Sequence, residues 1–176
     1  MEILLVRHGQ AVDDAPGLGD AGRWLSARGR KATRRVARWL AKSKKWRPAL
    51  IWTSPLVRAV QTAEILAAYA DYKGEIRALA ELSPGRDPGD LRKLLAEERA
   101  PCVLALVGHE PSLSILAKAL AGDLGYGELR KSGVLALSLE EGRTKARFLL
   151  DPAEMTVWKG SEIARAASAA SPAVTK

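Results

Sequence analysis

The sequence predicts an α/β fold, a three-layer sandwich with a mostly parallel central sheet and helices on both faces. Short apolar runs at residues 3–6, 49–52 and 102–107 are each followed by a longer segment of amphipathic or helix-forming residues. Strands that alternate with helices in this way are typical of βαβ units, in which a helix joins two parallel strands. The 176 residues are enough for one such domain with a substantial core.

The first half of the chain predicts two strand–helix units. The strand of residues 3–6 is wholly aliphatic and too short for a helix. After a loop rich in Asp, Gly and Pro, a helix begins at the N-cap residue Ser26 and continues to about residue 45. The strand of residues 49–52 is followed by a helix over residues 59–66.

The second half predicts further strands and helices and then a tail. The strands lie at residues 75–79, 102–107, 134–139 and 146–150, and the helices at 90–98 and 111–120. The last two strands flank a polar segment, which is typical of a hairpin. Ala, Ser and Pro dominate after residue 160, so we expect a domain of residues 1–160 and a weakly ordered C-terminal tail of residues 161–176.

Composition argues against several protein classes. The hydrophobic fraction of 47% and the charged fraction of 27% are those of a globular protein. The longest apolar run, residues 102–107, is far shorter than the roughly 20 residues that span a bilayer. The amino terminus lacks the apolar segment of a secretory signal, so we expect a cytoplasmic protein that makes no membrane contact. A single cysteine, Cys102, forms no internal disulfide, and it is expected to be an inert core thiol.

Three strand ends are expected to converge on one site. In parallel α/β sheets, ligands bind at the carboxyl ends of the strands. The residues found there are Arg7, His8 and Gly9 after the first strand, Arg58 after the second, and His109 after a later one. Because the planar guanidinium group donates to two phosphoryl oxygens at once, this set predicts a pocket for a doubly charged oxyanion.

The sequence narrows the chemistry of that pocket by what it lacks. It contains no GxxxxGK[ST] loop, no Cys-x5-Arg loop and no dense carboxylate cluster for two metal ions. With two histidines and one cysteine, a Cys/His zinc site is not expected. Histidine remains as the nucleophile, since nearby arginines disfavour the protonated imidazole and keep a lone pair available. Taken singly, each of these residues also has an ordinary structural explanation, and Gly9 could be a simple turn residue.

Three segments resemble the histidine phosphatase (phosphoglycerate mutase-like) superfamily. They are LVRHG at residues 5–9, SPLVRAVQT at residues 54–62 and VGHEP at residues 107–111, in the order and spacing of that family. The resemblance covers about residues 1–150 and is closest to the short phosphohistidine phosphatases of SixA type.

The resemblance implies a role for each residue of the pocket. His8 is the nucleophile and becomes transiently phosphorylated, Arg7 and Arg58 bind the phosphoryl oxygens, and His109 completes the pocket. Gly9 is expected to let the backbone approach the phosphoryl group. Neither a metal nor an organic cofactor is implied.

Departures from the mutase pattern bear on the substrate. Glu81 stands where many relatives carry a general acid, although a solvated carboxylate after a strand is an equal interpretation. Ala11 and Asp14 replace the Ser and Asn of mutases, and the short span between Trp52 and Val107 leaves little room for a capping insertion. An alkoxide leaving group depends on proton donation by an acid more strongly than an imidazole leaving group does. These features favour a phosphorylated protein, for example a histidine phosphotransfer domain.

The basic charge of the chain suggests possible partners. The net charge is +8, and six cations follow each other at helical spacing, namely Arg28, Lys31, Arg35, Arg38, Lys42 and Lys45. This face is either a solvated helix surface or a docking site for an acidic or phosphorylated protein. Nucleic acid is not expected, because aromatic residues are only 5% of the chain and no binding motif is present.

The leading hypothesis is therefore a metal-independent, monomeric phosphatase that acts on phosphohistidine of a protein through a phosphohistidine intermediate. A small-molecule phosphomonoester phosphatase is the first alternative, and a non-catalytic phosphoryl-binding module is the second.

Overall fold

The computed structural model describes residues 1–98, 103–140 and 143–165, and its centre is one seven-stranded sheet. The strands are β1 (Glu2–Arg7), β2 (Leu50–Thr53), β3 (Ile76–Ala78), β4 (Val103–Gly108), β5 (Val134–Glu140), β6 (Arg143–Asp151) and β7 (Thr156–Lys159). Their spatial order is β3-β2-β4-β1-β5-β6-β7. The strand β7, a short edge strand, was not predicted from the sequence.

The sheet is parallel on one side and antiparallel on the other. β3, β2, β4 and β1 pair in parallel, whereas β5, β6 and β7 are each antiparallel to the strand before them in the sheet. The predicted α/β sandwich is confirmed, but "mostly parallel" overstates a sheet in which three of six described pairings are parallel. The chain re-enters the sheet after α4 with β5 antiparallel to β1, and the short connections after β5 and β6 then reverse it twice, whereas a parallel pairing needs a long crossover.

Helices cover both faces of the sheet. They are α1 (Ala27–Lys42), α2 (Val57–Ala70), α3 (Pro88–Glu97) and α4 (Ser112–Ala121). Alternate residues of β1 show the layering, because Leu4 and Val6 pack with α1 and α2, and Ile3 and Leu5 pack with α3 and α4. A strand buried on both faces must be apolar throughout, which explains the continuous aliphatic run. None of the helices in the described part of the chain has the length and apolar character needed to cross a bilayer.

Side-chain caps fix where two of the helices begin. Ser26 accepts a hydrogen bond from the Gly29 backbone at 3.1 Å, as its predicted N-cap role requires. Asp87 caps α3 in the same way through Gly89 at 2.8 Å, so this helix begins earlier than predicted.

Near the end of the described chain, Ile163 is buried in the core on the face of the sheet that α3 and α4 cover. Cys102, at the predicted start of β4, and residues 166–176 of the predicted tail lie outside the described residues.

Candidate active site

The carboxyl ends of β1, β2 and β4 meet at one edge of the sheet. The His8 amide donates to the Gly108 carbonyl at 3.0 Å, and the Ser54 amide donates to the Val107 carbonyl at 2.9 Å. These bonds extend the parallel ladder by one residue, so the side chains that follow the three strands are brought side by side. His8, Arg58 and His109 all lie there, exposed by only 8%, 5% and 3%.

The two imidazole rings are neighbours. Their centroids are 4.8 Å apart and their planes are tilted by 53°. His8 Nδ1 lies 2.7 Å from the Gly9 carbonyl oxygen, and because a carbonyl only accepts, Nδ1 carries the hydrogen. In the neutral ring the lone pair is therefore on Nε2. His109 Nε2 lies 2.9 Å from the Ser54 hydroxyl, which is fully buried.

Burial keeps both rings neutral at physiological pH. Burial is the main cause that lowers the pKa of His8 from 6.5 to about 4; the hydrogen bond to the Gly9 carbonyl opposes this shift, and the charges of Arg58, Arg7 and Lys131 contribute to it. Burial also lowers the pKa of His109 to about 3, with the charges of His8 and Arg58 as further causes. An unprotonated Nε2 at neutral pH is what a nucleophile requires.

We expect NMR titration to show this depression directly. The chain has two histidines, so every imidazole resonance comes from this site. Because the two rings are neighbours, protonation of one disfavours protonation of the other. The expected pKa values near 4 and 3, instead of 6.5, therefore describe the pair of rings together. A resonance that titrates near 6.5 would contradict the burial of its ring.

The guanidinium group of Arg58 is already held by a carboxylate. Its Nη1 donates to the Asp20 backbone carbonyl at 2.7 Å, and its Nη2 donates to Asp20 Oδ2 at 2.9 Å. Arg23 pairs with the other carboxylate oxygen at 2.9 Å. The hydrogen bond from Arg58 is the main cause that lowers the pKa of Asp20. Asp20 thus orients Arg58 while leaving three of its five N–H groups available.

Sequence reasoning missed Asp20. The only local signal is its spacing of three residues from Arg23, which suggests a short-range ion pair and says nothing of Arg58. The contact with Arg58 spans 38 residues, and it depends on how the loop before α1 folds over the start of α2.

Arg7 is anchored on the other side of the pocket. Its Nη1 donates to the Leu129 carbonyl at 2.6 Å and lies 3.5 Å from a carboxylate oxygen of Glu128. Glu110 holds this segment, because its carboxylate accepts the amides of Leu129 at 3.0 Å and Ser114 at 3.1 Å. Burial raises the pKa of Glu110. Glu110, which sequence reasoning identified only as part of a motif, therefore positions Arg7 through the backbone of Leu129.

Gly9 is required by packing. Its amide donates to the Thr62 hydroxyl at 3.0 Å, which in turn donates to the Arg58 carbonyl at 2.7 Å. A Cβ at Gly9 would lie 2.6 Å from Thr33 Oγ1 and 3.2 Å from Ser132 Oγ. Glycine here lets the loop after β1 approach α1 closely, and its predicted contact with phosphate stays a prediction.

Ser132 holds the backbone of Arg7 and His8. Its amide donates to the carbonyls of Arg7 and His8 at 3.1 Å each, and its hydroxyl lies 3.0 Å from that of Thr33. It adopts a left-handed conformation, with φ of 68°. A residue with positive φ other than glycine is uncommon, and here the surrounding hydrogen bonds hold it in place.

Glu81 lies near His109. It follows β3 on a short 3-10 turn, Ala80–Leu82, and lines a small depression with His109, Arg86 and Ser112. Its half-buried carboxylate makes no hydrogen bond or ion pair with the residues that the structure describes. Across those same ranges, no group of three or more His, Cys, Asp or Glu side chains is placed to hold a metal ion.

Known proteins share this sequence pattern and fold. Residues 3–112 match the model of the histidine phosphatase superfamily (branch 1). An uncharacterized protein of Picosynechococcus sp. is 37% identical over 150 residues, which are 83% of this chain and 90% of that protein. The phosphohistidine phosphatase SixA of Escherichia coli K12 is 27% identical over 163 residues, which are 90% of this chain and 99% of SixA.

A solved structure extends the similarity to three dimensions. The structure of the protein histidine phosphatase SixA complexed with tungstate has a TM-score of 0.77 to this chain at 26% identity. The alignment covers 89% of this chain and 100% of that one.

Proposed function

Because this chain belongs to the histidine phosphatase superfamily, and because its similarity to SixA supports a phosphatase, we propose that it removes the phosphoryl group from phosphohistidine on a protein. The observation that carries the proposal is a buried, neutral His8 with its lone pair on Nε2, next to His109 and Arg58. Similarity to the phosphohistidine phosphatase SixA supports the substrate class. Tungstate in a similar structure supports an oxyanion site, since it is a tetrahedral oxyanion like phosphate.

The first step is attack by His8. Its Nε2 forms a bond to phosphorus while the bond from phosphorus to the substrate imidazole breaks, and the electron pair stays on that imidazole. Arg7 and the free N–H groups of Arg58 stabilise the negative charge on the phosphoryl oxygens, and His109 closes the pocket. Because the substrate ring can carry a proton on its other nitrogen, it leaves as a neutral imidazole without an acid from the enzyme.

The second step is hydrolysis of phosphorylated His8. A water oxygen forms a bond to phosphorus, the bond to Nε2 breaks, and dihydrogen phosphate leaves while His8 returns to its neutral form. The hydrogen bond from Nδ1 to the Gly9 carbonyl stabilises the positive charge that the ring carries when Nε2 is phosphorylated.

We expect Glu81 to matter for oxygen-linked substrates and not for nitrogen-linked ones. An alkoxide leaving group depends on proton donation, so a phosphate ester would use an acid at this position, beside His109. A phosphohistidine does not depend on it. If phosphohistidine is the substrate, the Glu81 carboxylate is dispensable.

A substrate panel tests the proposed function. We expect kcat/KM on a phosphohistidine peptide to exceed that on sugar phosphates and nucleotides by about 100-fold, a difference in barrier of about 2.7 kcal/mol. Rates are measured side by side at neutral pH, with EDTA present. The same panel on the Glu81→Gln variant should leave the phosphohistidine rate within about twofold and lower ester rates by about tenfold or more.

Two results would contradict this function. A sugar phosphate or nucleotide hydrolysed faster than the peptide would make the chain a small-molecule phosphatase. Equal losses on both substrate types in Glu81→Gln would remove the argument from the leaving group. Glu154→Gln, which changes an exposed carboxylate on the turn before β7, is the matched control.

A further inference from the structure

A wide basic groove opens beside the catalytic pocket, and the proposed chemistry does not use it. Its volume is about 810 Å³, which is in the range of sites for molecules much larger than phosphate. Six cationic side chains line it, namely Arg7, Arg28, Lys31, Arg35, Arg130 and Lys131. Among the described residues that line the groove there is no Asp or Glu and no aromatic side chain.

Two elements form the walls of the groove. Arg28, Lys31 and Arg35 follow each other at spacings of three and four along α1, so they share one face of the helix. Arg130 and Lys131 come from the segment before β5. Arg7 lines the groove and also belongs to the catalytic pocket, and the charge of Lys131 reaches His8, so the groove lies next to the pocket.

The charge in the groove is largely uncompensated. Among the described residues, Arg28, Lys31 and Lys131 form no ion pair, and Arg35 makes only a 3.4 Å hydrogen bond to the Ala153 carbonyl. Arg130 pairs with Asp151 at 3.0 Å, and Arg7 lies 3.5 Å from Glu128. Exposed cations of like sign held together in this way repel each other, and a bound anion would relieve that repulsion.

The structure separates the six cations that the sequence analysis placed on one helix face into two groups. Arg38 lies over the ring of Tyr69, 5.2 Å from its centroid, and donates to its hydroxyl at 3.1 Å. Lys45 pairs with Glu2 at 3.7 Å and lies over the ring of Trp46. These cations have partners within the chain, whereas those at the start of α1 face the groove.

We propose that the groove binds an acidic segment of the phosphoprotein substrate, next to the phosphorylated histidine. This inference rests on the proposed function. Since Arg7 belongs to both sites, one continuous ligand can fill the groove and present its phosphoryl group to His8. From Arg28 to Arg35 the helix rises about 10 Å, which suits several carboxylates spaced along a polypeptide. A lining without aromatic side chains offers no stacking surface for nucleic acid bases.

Two synthetic peptides test the groove. Each carries one histidine that is phosphorylated with phosphoramidate, flanked in one peptide by glutamates and in the other by glutamines at the same positions. We expect wild-type KM to be about tenfold lower for the acidic peptide at low ionic strength, because several exposed ion pairs each contribute modestly. This difference should shrink in high salt, which screens exposed charges.

Matched variants locate the effect. Arg28→Gln, Lys31→Gln and Arg35→Gln combined should raise KM for the acidic peptide about tenfold and leave KM for the neutral one unchanged. Arg34→Gln, Lys42→Gln and Lys44→Gln combined remove the same charge from exposed positions of α1 and the turn after it, outside the groove, and should preserve the difference. In both triple variants, the rate on a small aryl phosphate should stay at the wild-type value.

The possible failures are distinguishable. Equal KM values for the two peptides in the wild type, or equal losses in the two triple variants, would overturn the groove proposal while peptide hydrolysis still supports the proposed function. Hydrolysis of the aryl phosphate but of neither peptide would refute the proposed function. Fluorescence anisotropy tests the groove independently of turnover, since tighter binding of a labelled DNA duplex than of the labelled acidic peptide would also overturn the groove proposal.

Discussion

On replacement of His8 by Asn, we expect kcat to fall by about 10⁴-fold or more on every phosphorylated substrate. The Asn amide nitrogen takes the place of Nδ1 and keeps the hydrogen bond to the Gly9 carbonyl, but nothing takes the place of Nε2. The variant therefore loses the nucleophile and keeps the local structure. Steady-state rates on a phosphohistidine peptide and an aryl phosphate measure the loss, and the thermal unfolding midpoint shows that the fold is retained.

His109→Asn is the informative control for His8→Asn. Both substitutions shorten a buried imidazole at the same edge of the sheet, but only the first removes the attacking atom. We expect His109→Asn to be slow and still able to form a phosphoenzyme. Near wild-type turnover in His8→Asn would show that another group attacks phosphorus.

The Arg58→Gln substitution is expected to lower kcat/KM by about 10²- to 10³-fold, the usual effect of removing one donor to a developing oxyanion. Gln keeps the aliphatic part of Arg58 but ends near the position of Nε, so the variant loses the charge and the N–H groups at the phosphoryl oxygens together with the bonds to Asp20. Steady-state kinetics on the same two substrates measure it.

Two further variants separate charge from geometry at Arg58. Arg58→Lys keeps one positive charge without the planar fork, and we expect it to recover only part of the lost rate. Asp20→Asn keeps an oxygen that accepts from Arg58 but removes the carboxylate charge, so kcat should change little. Wild-type kcat/KM in Arg58→Gln would contradict a phosphoryl contact, and a loss in Asp20→Asn as large as that in Arg58→Gln would point to a role for Asp20 beyond positioning.

The convergence of the strand ends could be predicted from sequence because it depends on simple features. The aliphatic runs before His8 and His109 are long enough to identify buried strands, and parallel strands place their carboxyl ends at one edge. The structure indeed puts these two rings 4.8 Å apart, although the residues are a hundred positions apart in the chain.

Other features depend on long-range contacts that no local pattern reveals. The bond from Arg58 to Asp20 and the anchoring of Arg7 by the Leu129 carbonyl join segments that only the tertiary fold brings together. The direction of β5 follows from where the chain re-enters the sheet after α4, which side-chain periodicity does not encode. β7 is a four-residue edge strand with little burial, so its apolar signal is weak.

The cations of α1 likewise show that side-chain periodicity alone does not predict which residues form a common surface. Spacing along α1 groups Arg28 with Arg38, but the packing of α2 gives Arg38 a partner in Tyr69 and leaves Arg28 facing the groove. The second wall of that groove, Arg130 and Lys131, lies about a hundred residues further along the chain. Sequence could therefore identify the cations but not the surface that they form.

Trapping of the phosphoenzyme tests the central claim most directly. The protein is mixed with a phosphohistidine peptide or phosphoramidate, quenched in alkali within the first turnover and analysed by mass spectrometry. A single phosphoryl group that is labile in acid, located on His8 and absent from His8→Asn, is the predicted result. Phosphate on another residue, or full turnover without any covalent phosphoryl group on the protein, would contradict it.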